Sequence, residues 1–495
     1  MRQAAGLLAL LALGGCMIGP DYKRPTAPIA ASYKELAGWQ PAVPQDAHDR
    51  GAWWLIYHDP LLDQLERQVD VSNYTLQQAE ANYRNAQAIV QEAQANLFPV
   101  LAATGSGQRL GVGGGTSAVV SNASPGFTGN QYTLQGNASW TLDVWGEIRR
   151  QIASDVDLAQ YSAAEVADAR LSAQAALASA YFNLRSEDQL ASVLESNVRQ
   201  FTDALRITEN EYHAGYVARG DVLTAQTELQ TTEAQLIAVG VARAQYEHAI
   251  AVLIGKPPAA LGISPGALPN DVPVVPPSLP STLLQRNPGI AAAERQMAAE
   301  NELIGVAIAA FFPQISLSSF YGYTGPQLAS LIGLPNRIWA LGAAFNAPIF
   351  EGGAQIAVVV AARANYDAAV ANYRQVVLTA FQQVEDELVA LRVLADEKKM
   401  QDIAVKSAQD NVAFAINEYK AGTVSYTTVL TDQELELSDE ITDVTIQQSR
   451  MIASVALVEA LGGGWQSDDL PSTGTIRSPN FYLPGNVLGT KAATQ

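Results

Sequence analysis

The strongest constraint in this sequence is a pair of long runs without a helix breaker. Residues 147–214 and 354–421 contain no Gly or Pro, and each run is 68 residues long. Both are rich in Ala, Gln, Glu, Leu and Val, which suits helix. A helix of that length reaches ~100 Å, about three times the hydrocarbon core of a bilayer. Each run stops at an Ala-Gly step, and Gly215 and Gly422 suit the left-handed turn that ends a helix.

The two runs belong to a larger repetition. Asn73 to Pro99 aligns with Asn287 to Pro313 at a constant offset of 214, including Phe98-Pro99 with Phe312-Pro313. Farther on the offset becomes 207: Glu211-Tyr212-x-Ala214-Gly215-x-Val217 matches Glu418-Tyr419-x-Ala421-Gly422-x-Val424, and Gly255 matches Gly462. This divides the chain into repeat 1 (61–256) and repeat 2 (281–463), joined by 257–280, whose eight prolines make a stiff non-helical linker. Each repeat reads as helix, two strands, long helix, helix. In repeat 1 the shorter helices span 61–97 and 221–253, and together they nearly match the long one. Two short helices stacked end to end beside each long helix is the economical packing. In repeat 2 the last helix is expected at 427–461. The outer segments, 16–60 and the polar tail 464–495, carry no such pattern.

Between the first helix and the long helix of each repeat lie strand signals. From Gln131 to Asp143 polar and apolar or small residues alternate, with Tyr132, Leu134, Ala138 and Trp140 on one side and Gln131, Thr133, Gln135 and Asn137 on the other. Strands are expected at about 100–110, 131–143, 314–324 and 337–349. These lengths suit tilted strands crossing a bilayer, which need ~9–11 residues. Tyr132, Leu134, Trp140, Trp339 and Phe345 are then the lipid-facing candidates; an ordinary amphipathic sheet is the plainer reading. Four strands cannot close a barrel, which begins at ~8 strands, and open edges cannot face lipid. Membrane-spanning strands therefore require several copies of the chain around a water-lined centre, continued by a helical tube.

The first fifteen residues fit an export signal: Arg2, a short apolar stretch from Gly6 to Leu13, then small residues. Leu13-Gly14-Gly15-Cys16 resembles the lipobox of bacterial lipoproteins, which makes Cys16 the expected acylated first residue of the mature chain. The absence of Asp after Cys16 favours the outer membrane by the same resemblance. Cys16 is the only cysteine, which excludes an intramolecular disulfide, a thiolate zinc site and an iron–sulfur cluster. Net charge is −19, so nucleic acid is a poor partner. No cofactor or metal site is expected, and His48, His58, His213 and His248 do not cluster. Gly111-Val112-Gly113-Gly114-Gly115 lacks the Lys-Ser/Thr of a phosphate loop and reads as a hairpin loop. His58-Asp59 reads as a solvated or capping pair. Glu385-Asp386-Glu387 reads as a wet helix face, with an acidic lumen as the functional alternative.

The order Gly19-Pro20-Asp21-Tyr22-x-x-Pro25, Trp53-Trp54-x-x-Tyr57-x-Asp59-Pro60-x-Leu62, the two Phe-Pro steps and the twin Ala-Gly-x-Val motifs resembles the outer-membrane factor family of efflux systems. These are the TolC-like proteins, and the closest likeness is to their lipoprotein branch (OprM- and NodT-like). The resemblance implies a membrane α+β fold: a homotrimeric twelve-stranded β-barrel, four strands per chain, continuous with a long periplasmic α-helical barrel. It implies a passive, non-enzymatic conduit for drugs or other small molecules. It further implies docking to a periplasmic adaptor and an inner-membrane pump of the resistance-nodulation-division type. Contact with the adaptor is expected at the hairpin tips, Gly215, Val217, Gly422 and Val424. The family closes its periplasmic end just after the second tip, which makes Thr427, Thr431, Asp432 and Glu434 gate candidates, and Asp221 joins them as the acid nearest the first tip. Thr431 stands where the OprM-like pattern has an aspartate and Glu434 where it has an arginine. Asp221 and Asp432 read equally well as helix caps. A structural or adhesive lipoprotein with a coiled-coil stalk is the competing function, and it has no need of amphipathic strands.

Overall fold

The computed structural model describes residues 17–27, 32–35, 52–112, 127–273 and 280–478. The export signal, Cys16, Gly113 to Gly115, residues 274–279 of the linker and residues 479–495 of the tail lie outside the described residues.

In chain order the elements are α1 (Pro60–Ser72), α2 (Tyr74–Ala95), β1 (Val100–Val112), β2 (Phe127–Leu142), α3 (Glu147–Ala214) and α4 (Arg219–Leu253). They continue as α5 (Pro280–Arg286), α6 (Pro288–Ala309), β3 (Gln314–Gly325), β4 (Arg337–Asn346), α7 (Ala354–Lys420), α8 (Tyr426–Ala460) and α9 (Thr473–Arg477). The single helix expected over 61–97 is in fact two. Asn73 turns extended, closes α1 and opens α2, and its side chain accepts from Leu76 N at 3.0 Å. A side-chain oxygen there satisfies an orphan N–H of the new helix. Asn287 does the same for α6, accepting from Ile290 N at 3.1 Å. The strand expected to reach 349 stops at Asn346. Pro348 follows shortly and has no N–H for the ladder.

The four strands form one antiparallel sheet in the order β1-β2-β3-β4. The helices repeat that order. α2 leads into β1, β2 into α3, α6 into β3 and β4 into α7, and α3 packs between α2 and α6 while α7 packs on α6. α4 and α8 lie farther along, beside α3 and α7, and α3 also touches α8.

The joints between stacked helices are tight. Asn73 Nδ2 donates to Leu253 O at 2.8 Å, and Ser72 Oγ donates to Ile254 O at 2.7 Å. Gly255 has φ +67°, and a Cβ there would sit 2.2 Å from Ser72 O. At the second joint Asn287 Nδ2 donates to Ala460 O at 3.4 Å. Gly462 has φ +91°, and a Cβ there would sit 2.0 Å from Arg286 O.

The main core lies at these joints, where Leu62, Tyr181, Phe182 and Tyr373 are fully buried. Each such side chain contributes about 1.5–3 kcal/mol over leaving it in water. A second cluster around Phe201, Leu194, Val429 and Leu430 ties α3 to α8 nearer the hairpin tips. At the layer's edges the pattern reverses. Ile237, Val241 and Val252 of α4 and Ile356, Val360, Ile403 and Phe414 of α7 are exposed. Among the described helices α4 alone is long and apolar enough to cross a bilayer by length and composition, although no unbroken apolar run marks it in the sequence. It packs against α3.

Candidate functional site

The two hairpin tips are built alike. Gly215 (φ +81°) and Gly422 (φ +73°) take the left-handed conformation. Tyr216 N then reaches back to Glu211 O and Thr423 N to Glu418 O, at 2.9 and 3.0 Å. These bonds use up carbonyls left open at the ends of α3 and α7. Val217 and Val424 are half-buried beside them.

Of the gate candidates, the structure brings two together. Asp221 Oδ2 accepts from Ala218 N at 3.0 Å, a capping bond for α4, and its Oδ1 accepts from Thr427 Oγ1 at 3.2 Å. Asp221 is thus both a cap and a tie between the two tips. Thr431 Oγ1 donates to Thr427 O within α8 at 3.1 Å. Asp432 and Glu434 are half-buried and make no side-chain hydrogen bond among the described residues. Burial, then the neighbouring Glu228, pushes the Glu434 carboxyl above its ordinary range.

A second tie between the tips escaped the sequence reading. Tyr419 Oη donates to Glu211 Oε1 at 2.5 Å, and the Tyr419 ring meets Tyr426 edge-on at 4.9 Å. Burial and the Glu211 carboxylate push the Tyr419 phenol up to about 12. The twin Glu-Tyr motifs held the signal. Glu211 comes from the first copy and Tyr419 from the second, so aligned residues do different jobs. Tyr212, the partner of Tyr419 in the alignment, is exposed.

At the opposite end the register sorts the strand residues into two faces. Leu134 pairs with Tyr323, Gly136 with Tyr321, Trp140 with Leu317, Tyr321 with Trp339 and Ile315 with Phe345. Tyr132, Leu134, Trp140, Trp339 and Phe345 therefore share one face, and Leu101 and Leu341 join them. Trp339, Leu341 and Phe345 are well exposed on it. The other face is a polar lattice: Gln108 to Gln131 at 3.1 Å, Thr133 to Thr324 at 3.1 Å and Asn137 to Thr104 at 3.0 Å. Side-chain pairs of this kind stiffen a sheet across its strands.

Where strands meet helices, the N-terminal segment is clamped. Ile18 N donates to Trp145 O at 3.1 Å. The buried Arg150 donates to Ile18 O at 3.1 Å and Gly19 O at 3.2 Å, and it pairs with Glu302 at 2.7 Å and Asp21 at 3.2 Å. Gly19 lies so close to Gly305 that a Cβ would come within 2.5 Å of its Cα. Lower down, Arg185 donates to Ser264 O at 2.8 Å and Arg243 to Ile263 O at 2.6 Å, and Asp188 holds both guanidinium groups. The start of the Pro-rich linker is thereby fixed against α3 and α4.

Asp59 and Glu385 have structural partners. His58 takes φ +53° after a short helical turn, and Asp59 caps α1 through Leu61 N at 2.9 Å. Glu385 accepts from Lys34 N and Glu35 N, at 2.7 and 3.0 Å, which ties the N-terminal segment to α7.

Residues 66–256 and 279–463 match the family described as outer membrane efflux protein. The probable efflux pump outer membrane protein TtgC of Pseudomonas putida is 32% identical over 460 residues, covering 92% of this chain and 93% of that protein. Outer membrane protein OprJ of Pseudomonas aeruginosa is 31% identical, covering 94% and 97%. Among solved structures, the outer-membrane channel OprN superposes with a TM-score of 0.84 at 29% identity, covering 91% of this chain and 100% of that one.

Proposed function

This chain belongs to the outer membrane efflux protein family, and from that premise we propose that it is the passive trans-periplasmic conduit of a tripartite efflux system. It is an outer-membrane efflux protein; the assembly and its partners are our reading. Three chains close one twelve-stranded barrel, four strands from each, and their helices continue it as a periplasmic tube. Each chain carries two copies of one unit, as the paired joints at Asn73/Gly255 and Asn287/Gly462 suggest. A periplasmic adaptor docks near Gly215, Val217, Gly422 and Val424, and an inner-membrane pump of the resistance-nodulation-division type supplies drugs or other small molecules. Acylated Cys16 anchors the chain in outer-membrane lipid.

One observation carries this reading: both layers end in matching open edges. Among the described residues β1 and β4 each have a strand partner on one side only. The exposed apolar residues of α4 and α7 lie on the corresponding edges of the helical layer. Unpaired strand edges cannot face lipid, and exposed apolar patches of this extent call for a partner surface. Further copies of the same chain satisfy both at once. The apolar sheet face then meets lipid, and the polar lattice lines the water-filled centre.

Heat-modifiable trimers and ion conductance in planar bilayers test the proposal. A water-soluble, non-conducting stalk after removal of the acyl group would overturn it in favour of the structural lipoprotein. The gate assignment is separate. The Asp221–Thr427 and Glu211–Tyr419 ties hold each chain's two tips together at rest, with Thr431, Asp432 and Glu434 next to them. Asp432→Ala with Thr427→Ala raises resting conductance without loss of trimer; unchanged single-channel conductance would remove these residues from the gate.

A further inference from the structure

The sheet carries a charge asymmetry that the conduit reading does not use. Between Val100 and Leu142, and between Gln314 and Phe350, the sequence has two charged residues, Arg109 and Arg337. Both are cations in a chain of net charge −19. Arg109 pairs with Asn130 and Arg337 with Tyr323, in the half of the sheet far from the helices. The register puts both on the same face as Leu134, Trp140 and Trp339. Both are exposed, and neither has a carboxylate partner among the described residues.

Beside Arg337 the apolar face is hollowed. Two neighbouring cross-strand rows run Ala103–Gly136–Tyr321–Trp339 and Leu101–Ala138–Ser319–Leu341. The small members, Ala103, Gly136, Ala138 and Ser319, form a floor, and the large ones stand around it. The hollow measures about 870 Å³, and Arg337 lines it. An apolar trough with a cation at its outward end matches one kind of amphiphile, an acyl chain whose headgroup is anionic. The sheet's two edge strands carry the two arginines. Closure of a barrel from several chains sets Arg337 of one copy on the strand next to Arg109 of another.

We propose that this hollow binds a phosphorylated lipid of the membrane's outer leaflet, lipid A, with an acyl chain on the small-residue floor and a phosphate held by Arg337 and a neighbouring copy's Arg109. The proposal rests on the reading that the apolar face meets lipid and that the strand ends far from the helices point outward. Arginine presents paired N–H donors to phosphate oxygens, and removing one basic residue near an anionic leaflet costs about fivefold in binding.

The test is to purify trimers in mild detergent and measure the lipid that stays bound, scoring lipid A by its 3-hydroxy fatty acids and glycerophospholipid separately. Wild type is expected to retain lipid A. Arg109→Gln with Arg337→Gln should lose it at least tenfold, and Arg109→Lys with Arg337→Lys should keep most of it with the fold undisturbed. Equal retention in the glutamine variant, glycerophospholipid in place of lipid A, or no bound lipid in wild type overturns the proposal. If the glutamine variant does not assemble, the wild-type lipid and the lysine variant decide it. Quenching of Trp339 by brominated lipid is measured alongside. Quenching without lipid A retention ends this inference alone, whereas absence of quenching ends the assignment of the face itself.

Discussion

Four glycines in this chain share a left-handed backbone and differ in what surrounds them. Gly215 and Gly422 turn the hairpin tips, and a Cβ on either would meet nothing within 4 Å. Gly255 and Gly462 close the joints, and a Cβ on either would press a backbone carbonyl oxygen at 2.2 or 2.0 Å. The tip glycines are there for φ alone. The joint glycines are there for φ and for contact, because the end of one helix is seated on the start of the next. The joints are therefore fixed points of the long helical layer, whereas open space surrounds the glycines of the tips.

Substitution at the joints should break this contrast most visibly. Gly255→Ala or Gly462→Ala adds left-handed strain to a clash with main-chain atoms that have nowhere to go, and should cost about 3 kcal/mol or more. Thermal unfolding of the purified protein is the measurement, with loss of assembled protein as the extreme result. A melting curve within a degree of wild type would show that the joints are not tight.

Glu66 sharpens the same comparison through pH. It lies fully buried in α1 near the first joint, and neither carboxyl oxygen has a hydrogen-bond partner among the described residues. Burial, and then Asp70, pushes its carboxyl up to about 9 from 4.5. The folded chain keeps a proton that the unfolded chain gives up, so stability is full below about 4.5 and declines as pH rises toward about 9. Glu66→Gln should flatten that decline and raise the unfolding free energy at pH 9 by about 1 kcal/mol or more, read as a higher melting temperature. Parallel pH profiles for wild type and variant would dismiss Glu66 as the cause.

Asn73→Ala and Asn287→Ala come next. Each removes a helix cap, worth about 1 kcal/mol, together with a bond across the joint. The bond from Asn73 is 2.8 Å and that from Asn287 is 3.4 Å, so Asn73→Ala should destabilise more. Denaturant titration of the two variants ranks them, and the reverse order would contradict the geometry. Gly215→Ala and Gly422→Ala should have the smallest effect, about 1 kcal/mol from φ alone. A cost at the tips equal to that at the joints would erase the distinction.

Much of this plan was legible in the sequence because it rests on period and on breakers. An unbroken run at 147–214 is a helix, and the structure has one at Glu147–Ala214. Strict alternation from Gln131 onward sorts side chains between two faces, and the register keeps Tyr132, Leu134 and Trp140 together. The split at Asn73 was hidden because asparagine is only a mild breaker, and no proline follows it as Pro288 follows Asn287. The overrun to 349 came from continuing an alternation past Pro348. At the tips the sequence supplied Asp221 and Thr427 as candidates but not their pairing, and it showed Glu211 and Tyr419 only as members of a repeated motif. Asp221–Thr427 and Glu211–Tyr419 join residues about two hundred positions apart, and no local pattern carries such a distance.

The Arg150 clamp has a consequence for the order in which the molecule is completed. Residues 18–21 are among the first described residues to be synthesised, yet Arg150 holds them only as part of a group that includes Glu302, with Gly305 beneath Gly19. Arg150 is in α3 and Glu302 in α6, one from each half of the chain. The seat of residues 18–21 is therefore complete only when the second half of the chain has folded against the first. An early segment waiting on distant partners is the slow kind of contact in folding. Here the clamp next to Cys16 has all its partners only once elements from both halves of the chain are in place.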